Sequence, residues 1–352
     1  MASITGLPAV AVLAAFVVLP RPILAQDGTI IGRVVAKGAD LPLGYSIVNV
    51  TPGAREQFTT ADGRFVIRGL PRGKVTITAR HIAYTPLDTS LTIANGDTIN
   101  ITLAMSLVTI QLPAIHSLAQ ACAHPGRADS TVGLELATLF AQVKENAARH
   151  QLLSRSYPFE VDVERKITKH EPALEARLVV YDTLVRSSVR DWQYAPGKMV
   201  GTREYESGVL AGKWSTIHLP ELADFANEPF LLNHCFDYGG AEVVNGDTLL
   251  RVDFVPAPAI HTPDVAGSIY LDRKTFQLRM TELALVNMTK QMLETLAGQS
   301  IRADFKEVLP GVPVVDRVSS VVFPKDDPKA PALEPATETH RTLAIRFLRG
   351  RP

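Results

Sequence analysis

The segment from Thr59 to Pro86, TTADGRFVIRGLPRGKVTITARHIAYTP, constrains this chain more than any other, because most of its residues have a definable backbone role. Asp62-Gly63 is a two-residue turn signal, with Gly63 able to take the positive φ that a tight hairpin demands. Phe65 and Ile67 then alternate with Arg64, Val66 and Arg68 at the period of a strand with one buried face. Gly69-Leu70-Pro71-Arg72-Gly73 breaks the pattern, and Val75, Ile77 and Ala79 resume it. The reading is strand, turn, strand, so Asp62, Gly63, Phe65, Gly69, Pro71 and Gly73 have structural roles here rather than chemical ones.

The flanks carry a resemblance. Upstream lie Thr29 to Val35, the turn Leu41-Pro42-Leu43-Gly44, and Ser46 to Thr51; downstream, His81-Ile82-Ala83-Tyr84-Thr85-Pro86 precedes strands at Ser90 to Ile93 and Thr98 to Met105. A glycine-bearing first strand, T-x-D-G-x-F, G-L-P-x-G and an aromatic, Tyr84, at the end of the next strand together resemble the carboxypeptidase regulatory-like domain. That resemblance implies a prealbumin-like β-sandwich, also described as a carbohydrate-binding-like fold, over residues 27–112. Ala83 departs from the pattern, which has Gly before the aromatic, and this removes the expectation of a positive φ there.

The remainder reads as export and a second domain. Leu7 to Leu19 is an apolar run broken by Pro20 and Pro22, and Ala25 precedes Gln26-Asp27, so residues 1–25 read as a secretory signal. The competing reading, a membrane anchor, needs a longer apolar run. The mature chain is then expected to carry no transmembrane span, and to reside in the periplasm, at the outer membrane or outside the cell. The 36 basic and 36 acidic residues cancel, which gives no electrostatic case for nucleic acid as a partner. Length and a hydrophobic content of 46% allow two cores. The only cysteines are Cys122 and Cys235, and an even count in an oxidising compartment points to one disulfide, the alternative being a buried Cys235 and an unpaired Cys122.

Residues 113–131, with Pro113, Pro125 and Gly126, read as a linker, and 132–350 as a domain of one helix and an antiparallel sheet. Leu136, Leu139, Phe140, Val143 and Ala147 recur at helical spacing, with Gln142, Lys144, Glu145 and Arg149 on the opposite face, predicting a helix from about Val132 to Leu153 capped by Ser130 or Thr131. Alternating strands are expected at 159–165, 176–182, 247–255, 268–272, 277–286, 301–308, 314–323 and 342–348. The piece from Val244-Asn245-Gly246 to Leu278-Arg279, with its N-G turn, F-x-P strand end and G-x-I-x-L-D, resembles exported proteins that join a regulatory-like module to a LolA-like curved sheet. The expected fold class is mainly β: a prealbumin-like sandwich followed by a curved-sheet α+β domain.

Catalytic patterns are weak. His218-Leu219-Pro220-Glu221 has the H-x-x-E spacing of metallocarboxypeptidases, with His340 as a third ligand downstream, but Pro220 spoils a regular element between them and the surrounding sequence is β-patterned. His234-Cys235 cannot pair as base and thiol if both lie on one strand, where neighbours face opposite sides. There is no G-x-S-x-G, Walker loop, G-x-G-x-x-G or C-x-x-C, and Asp62, Asp247 and Asp272 read as turn residues, as do the sequon residues Asn49, Asn100 and Asn287 as strand or turn positions. No catalytic residue, metal site or cofactor is therefore expected. The leading expectation is a non-enzymatic exported binding or scaffolding protein contacting an envelope protein or a glycan, for which Tyr45, Phe58 and Tyr84 are the few sandwich aromatics. The alternative is a lipid or lipoprotein carrier. The resemblance implies a hollow in the curved sheet that Phe225, Phe230, Leu231, Leu232 and Phe236 would line, unless they are plain core. A zinc peptidase ranks last.

Overall fold

The computed structural model describes residues 27–53, 56–108, 122, 125–126, 134–171, 176–189, 192–205, 212–218, 220–325 and 334–349. The signal segment 1–25, nearly all of the linker 113–131 and the cap residues Ser130 and Thr131 lie outside them. None of the described helices is long and apolar enough to cross a membrane.

The first domain contains β1 (Gly28–Ala36), β2 (Ile47–Thr51), β3 (Gln57–Phe58), β4 (Arg64–Leu70), β5 (Gly73–Arg80), β6 (Leu87–Ile93) and β7 (Thr98–Met105). They form a three-stranded sheet, β4-β1-β7, and a four-stranded sheet, β3-β2-β5-β6, in which only β1 and β7 run parallel. Ile30, Val34, Phe65, Ile67, Val75, Ile77 and Leu103 fill the space between them, as alternation at period two dictates.

The hairpin expected at Asp62-Gly63 does not form. β3 and β4 belong to different sheets, so this turn carries the chain across the sandwich, and Gly69 to Gly73 carries it back from β4 to β5. Gly63 still takes φ +75°, and a Cβ there would stand 2.6 Å from Val34 O. Its carbonyl accepts from Val34 N–H at 2.8 Å, which is why the chain must approach so closely. Asp62 Oδ1 accepts from Thr60 Oγ1 at 2.5 Å and Thr60 Oγ1 from Arg64 N–H at 3.1 Å, reinforcing the backbone bonds Thr60 N–H to Arg64 O and Gly63 N–H to Thr60 O, both 2.9 Å, that close the corner. A turn signal specifies local geometry; the sandwich decides whether the next strand pairs or crosses over.

The second domain opens with α1 (Leu134–Ser156) and continues with β8 (Phe159–Glu171), β9 (Ala176–Ser187), β10 (Val200–Tyr205), β11 (Gly212–Ile217), α2 (Glu228–Leu232), β12 (His234–Val244), β13 (Asp247–Pro256), β14 (Asp264–Asp272), β15 (Leu278–Val286), α3 (Lys290–Thr295), β16 (Leu296–Leu309), β17 (Val312–Pro324) and β18 (Ala336–Phe347). Nine strands make one antiparallel sheet in the order β12-β13-β14-β15-β16-β17-β18-β8-β9, and β10 and β11 form a separate hairpin. The last strand docks on the first, with Thr337 opposite Thr168 and Phe347 opposite Phe159, so the sheet is complete only when the whole domain is present.

The apolar stripe of α1 packs as its spacing predicts: Leu136, Leu139, Phe140, Val143 and Ala147 join Phe236, Leu250, Val252, Phe254, Ile269 and Leu283 in the main core. The opposite face is largely enclosed, because Gln142, Glu145, Asn146 and Arg149 are buried too, while Lys144 is exposed. The sandwich covers part of it. Ala83 N–H donates to Gln142 Oε1 at 2.8 Å, and Ile82 and Ala83 enter the core of the second domain. Ala83 does take a positive φ, +69°, a conformation costing about 1–2 kcal/mol for an L-residue. It is held there by the bond to Gln142 and by Val108 N–H donating to its carbonyl at 2.8 Å.

Further along α1, Asn146 Oδ1 accepts from Leu278 N–H and its Nδ2 donates to Phe276 O, both at 2.9 Å, fixing the turn between β14 and β15. Arg149 is fully buried; its Nε donates to Gly311 O at 2.7 Å and Nη2 to Pro310 O at 3.2 Å in the turn between β16 and β17, while its guanidinium lies 5.8 Å from the centre of the Phe58 ring. Glu145 stands 4.0 Å from Arg149 and 3.7 Å from Arg80, which meets Glu56, which meets Arg155. Burial pulls Arg149 down to about 10 and pushes Glu145 up against the pull of its two arginines, so the pair specifies geometry more than it adds stability.

Two outcomes follow from this joint. Arg149→Ala strands two carbonyls and a buried carboxylate and is expected to lower unfolding free energy by about 3–5 kcal/mol, with Arg149→Lys recovering less than half because an ammonium cannot reproduce the fork; urea unfolding followed by tryptophan fluorescence measures both. His81, beside Tyr84 in the same joint, is held down at about 4 against an exposed value of 6.5 by burial first and the charge of Arg149 second. The unfolded chain accepts the proton that the folded one resists, so stability is full above the unfolded value and falls by about 1.4 kcal/mol per pH unit from about 6.5 down to about 4. Urea midpoints across that window should decline in the native protein and flatten in His81→Gln.

Candidate functional site

α1 packs on the inner face of the sheet, and beside its last two turns lies a hollow. The walls are Phe159, Val161 and Val163 of β8, Val314 and Val318 of β17, and Phe305 of β16, closed on the helix side by His150 and Leu222. The alternation of β8 builds the floor, because Phe159, Val161 and Val163 share one face of a strand and Glu160, Asp162 and Glu164 take the other. Those acids meet Arg346 and Arg341 on the outer face, which fixes which side of β8 looks inward. The enclosed volume is about 80 Å³. The same inner face continues toward the sheet edge through Ile167 of β8 and Val180 and Leu184 of β9, all half-buried.

Polar groups also line the hollow: His150 and Glu221 on the helix side, and Ser187, Ser188, Thr342 and a bonded chain that begins at Arg186 on the strand side. Arg186 Nη2 donates to His340 Nδ1 at 2.6 Å, which leaves the ring proton on Nε2 to bond Glu338 Oε1 at 2.7 Å. Burial pushes Glu338 up, but the bond from His340 and the charges of Arg165 and Arg186 outweigh it and hold the carboxyl below its ordinary value. Arg165 donates twice to Asp182, through Nε at 2.8 Å to Oδ1 and through Nη2 to Oδ2, and this bond holds Asp182 low as well. The arrangement is an apolar trough with a fixed, hydrogen-bonded polar border. It has the form of a binding site.

The residues that the sequence offered for a hollow are elsewhere. Phe225, Phe230 and Phe236 form a solid aromatic core with Phe254, Tyr194 and His234, with ring centres of Phe225 and Phe230 5.2 Å apart and those of Phe236 and Phe254 6.0 Å apart. Leu231 is buried with them, and Leu232 faces out at 55% exposure. Within this core Tyr194 Oη donates to Asp264 at 2.6 Å, and His234 stacks on Phe230 at 4.0 Å while its Nδ1 bonds Phe230 O. His234 and Cys235 do not act as a pair, since the sulfur of Cys235 is bonded to that of Cys122 across 113 residues of sequence.

The H-x-x-E set is also dispersed. Glu221 and His340 both border the hollow, but His218 stacks on Trp192 with ring centres 5.2 Å apart. Among the described residues no three His, Cys, Asp or Glu side chains converge to hold a metal ion. Asp62, Gly63, Phe65, Gly69, Pro71 and Gly73 all lie in the sandwich, away from the trough, and Tyr84 packs against both cores at the joint. Sequence reasoning missed Arg186, Val318, Phe305 and His340 as neighbours. Only the alternation of β8 signalled a wall, and nothing local says that β18 returns to lie beside it.

Comparison with known proteins places the sandwich. Residues 29–106 match the carboxypeptidase regulatory-like domain family. No curated protein matches the chain by sequence. Among solved structures, a DUF1329 family protein from Desulfovibrio piger ATCC 29098 is similar at 11% identity and a TM-score of 0.33, over 60% of this chain and 95% of that one. A putative outer membrane lipoprotein-sorting protein domain from Vibrio parahaemolyticus is similar at 11% identity and a TM-score of 0.32, over 60% and 95%. A LolA superfamily protein from Nitrosomonas europaea is similar at 11% identity and a TM-score of 0.31, over 60% and 94%.

The disulfide pins the start of β12, the strand that carries Phe236 into the core, to the segment that leads into α1. Closing so long a loop restrains the unfolded chain, so replacing both cysteines by serine is expected to cost about 4 kcal/mol of unfolding free energy. Denaturant unfolding of the double variant, beside mass analysis of alkylated native protein, measures this.

Proposed function

We propose that this chain is an exported, non-enzymatic binding protein of the cell envelope that takes an apolar chain, such as the acyl part of a lipid or lipoprotein, into the trough on the inner face of its large sheet. The observation that supports this reading is the trough itself. Phe, Val and Leu side chains make up about half of its lining, and the polar groups among the rest include the hydrogen-bonded Arg186–His340–Glu338 chain on one border. An enclosed volume of about 80 Å³ is roughly half that of an engineered cavity that admits a benzene, so it takes the end of a chain and not a whole lipid. The rest of the chain lies along the half-buried Leu184, Ile167 and Val180 on the same inner face, passing the Arg165–Asp182 pair that stands between them. The sandwich serves as the rigid support that holds α1, and hence the closed side of the trough, through the Ile82-Ala83 loop.

Dansyl-labelled undecanoic acid should bind saturably with enhanced fluorescence. Val318→Trp fills the trough from β17 and is expected to weaken binding by about tenfold or more, equivalent to about 1.4 kcal/mol, with circular dichroism unchanged. Equal binding by the folded variant and the native protein would refute the assignment.

A further inference from the structure

A nine-stranded open sheet has two edges, and here they are treated differently. The β12 edge is interrupted: its register shifts between Tyr238 and Gly240, Glu242 stands on it, Gly126 N–H donates to His234 O at 3.0 Å, and the disulfide ties Cys122 to its second residue, Cys235. These are the usual devices against edge-to-edge pairing. Among the described residues β9 has no bulge, covering backbone bond or disulfide, and the charges that it carries are Arg177, Asp182 and Arg186. It runs 12 residues without a register shift opposite β8 and contains neither proline nor lysine. Among the described residues only β8 pairs with it. Its outer face shows Val179 at 43%, Tyr181 at 62% and Val185 at 58% exposure.

The direction of its free backbone groups follows from one bond. Ser188 N–H donates to Phe159 O at 2.8 Å, so in an unshifted antiparallel ladder Asp182, Leu184 and Arg186 also turn their backbone groups toward β8, and Tyr181, Thr183, Val185 and Ser187 turn theirs outward. A second β9 running antiparallel must therefore set these outward residues against one another. Centring such a pair on Asp182 opposes two like carboxylates, and centring it on Thr183 or Tyr181 sets Asp182 against Leu184 or Val180. The register with Thr183 opposite Val185 avoids both: Leu184 meets its own copy, and Asp182 meets Arg186 of the second copy, twice by symmetry. In non-hydrogen-bonded pairs the side chains lie closest, so the charges fall where they interact most. Arg165 bonds both oxygens of Asp182, and each oxygen has a second lone pair with which to accept from another cation.

We propose that β9 is a self-association edge, through which two copies of this chain pair antiparallel over Tyr181 to Ser187 and join their sheets into one, with both troughs on the same continuous surface. The strand is self-complementary in charge and in the parity of its backbone groups, as a two-fold interface requires.

Sedimentation of the full chain should show a dimer. Thr183→Pro removes an N–H that faces away from β8, so it keeps the β8–β9 ladder and is expected to give a monomer with native circular dichroism. Asp182→Arg and Arg186→Asp should each weaken the dimer about tenfold or more, about 1.4 kcal/mol, and the double exchange should restore it. If Thr183→Pro misfolds, the surface pair Tyr181→Lys and Val185→Lys decides the question in its place. A native chain monomeric at all concentrations, or a dimer indifferent to the Pro and Lys variants, would overturn the proposal; single charge variants without effect would overturn the register and with it the two-fold pairing.

Discussion

The second domain depends on one helix that is buried on two sides. α1 presents an apolar stripe to the sheet, as any amphipathic helix does, but its polar stripe is enclosed as well. Gln142, Asn146, Arg149 and His150 each satisfy backbone groups of another element: the Ala83 loop of the sandwich, the turn after β14, the turn after β16, and Pro313 at the start of β17. Burying an arginine and an amide costs free energy unless every partner is in place. This makes the arrangement selective. A slip of the helix by one turn would leave several buried groups without partners at once, so the stripe fixes the helix in register against sheet and sandwich together.

That register shapes the site. The helix is long enough to cover the strands from β12 to β17 and ends at Ser156, where the chain turns directly into β8. The helix reaches only the near end of β8 and β18, where Leu153 packs with Phe159, Ile345 and Phe347, and the inner face farther along β8 and β9 lies beyond that contact, bordered by side chains that pair with one another. Trough and polar border come from the same cause, a sheet broader than the helix that covers it. The rigid sandwich contributes by anchoring the other side of α1.

The turns and the strands were legible in the chain because their signals are local, and the disulfide because the chain has only two cysteines. Gly63 and the Thr60-Asp62 pair specify a corner, Phe65 to Ile67 and Phe159 to Val163 specify faces, and Leu136 to Ala147 specify a helix, each from residues a few positions apart. The sandwich followed because many such signals stand at fixed offsets. Legibility failed where a residue's surroundings are set from far away. Arg149 has a surface residue's chemistry, and Phe230 and Phe236 have the chemistry of a ligand pocket; the structure puts the first in the interior and the others in solid core.

By itself, then, the sequence determined where strands, corners and one helix occur and which side of each is apolar, since periodicity reports that a face is buried. Only the tertiary structure decided what buries it: that Asp62-Gly63 crosses between sheets instead of closing a hairpin, that β18 returns to β8 and so builds the trough, and that β9 is left at an edge. The physical reason is that strand neighbours and helix contacts are chosen by the sum of many distant pairings, and no window of the chain contains that sum.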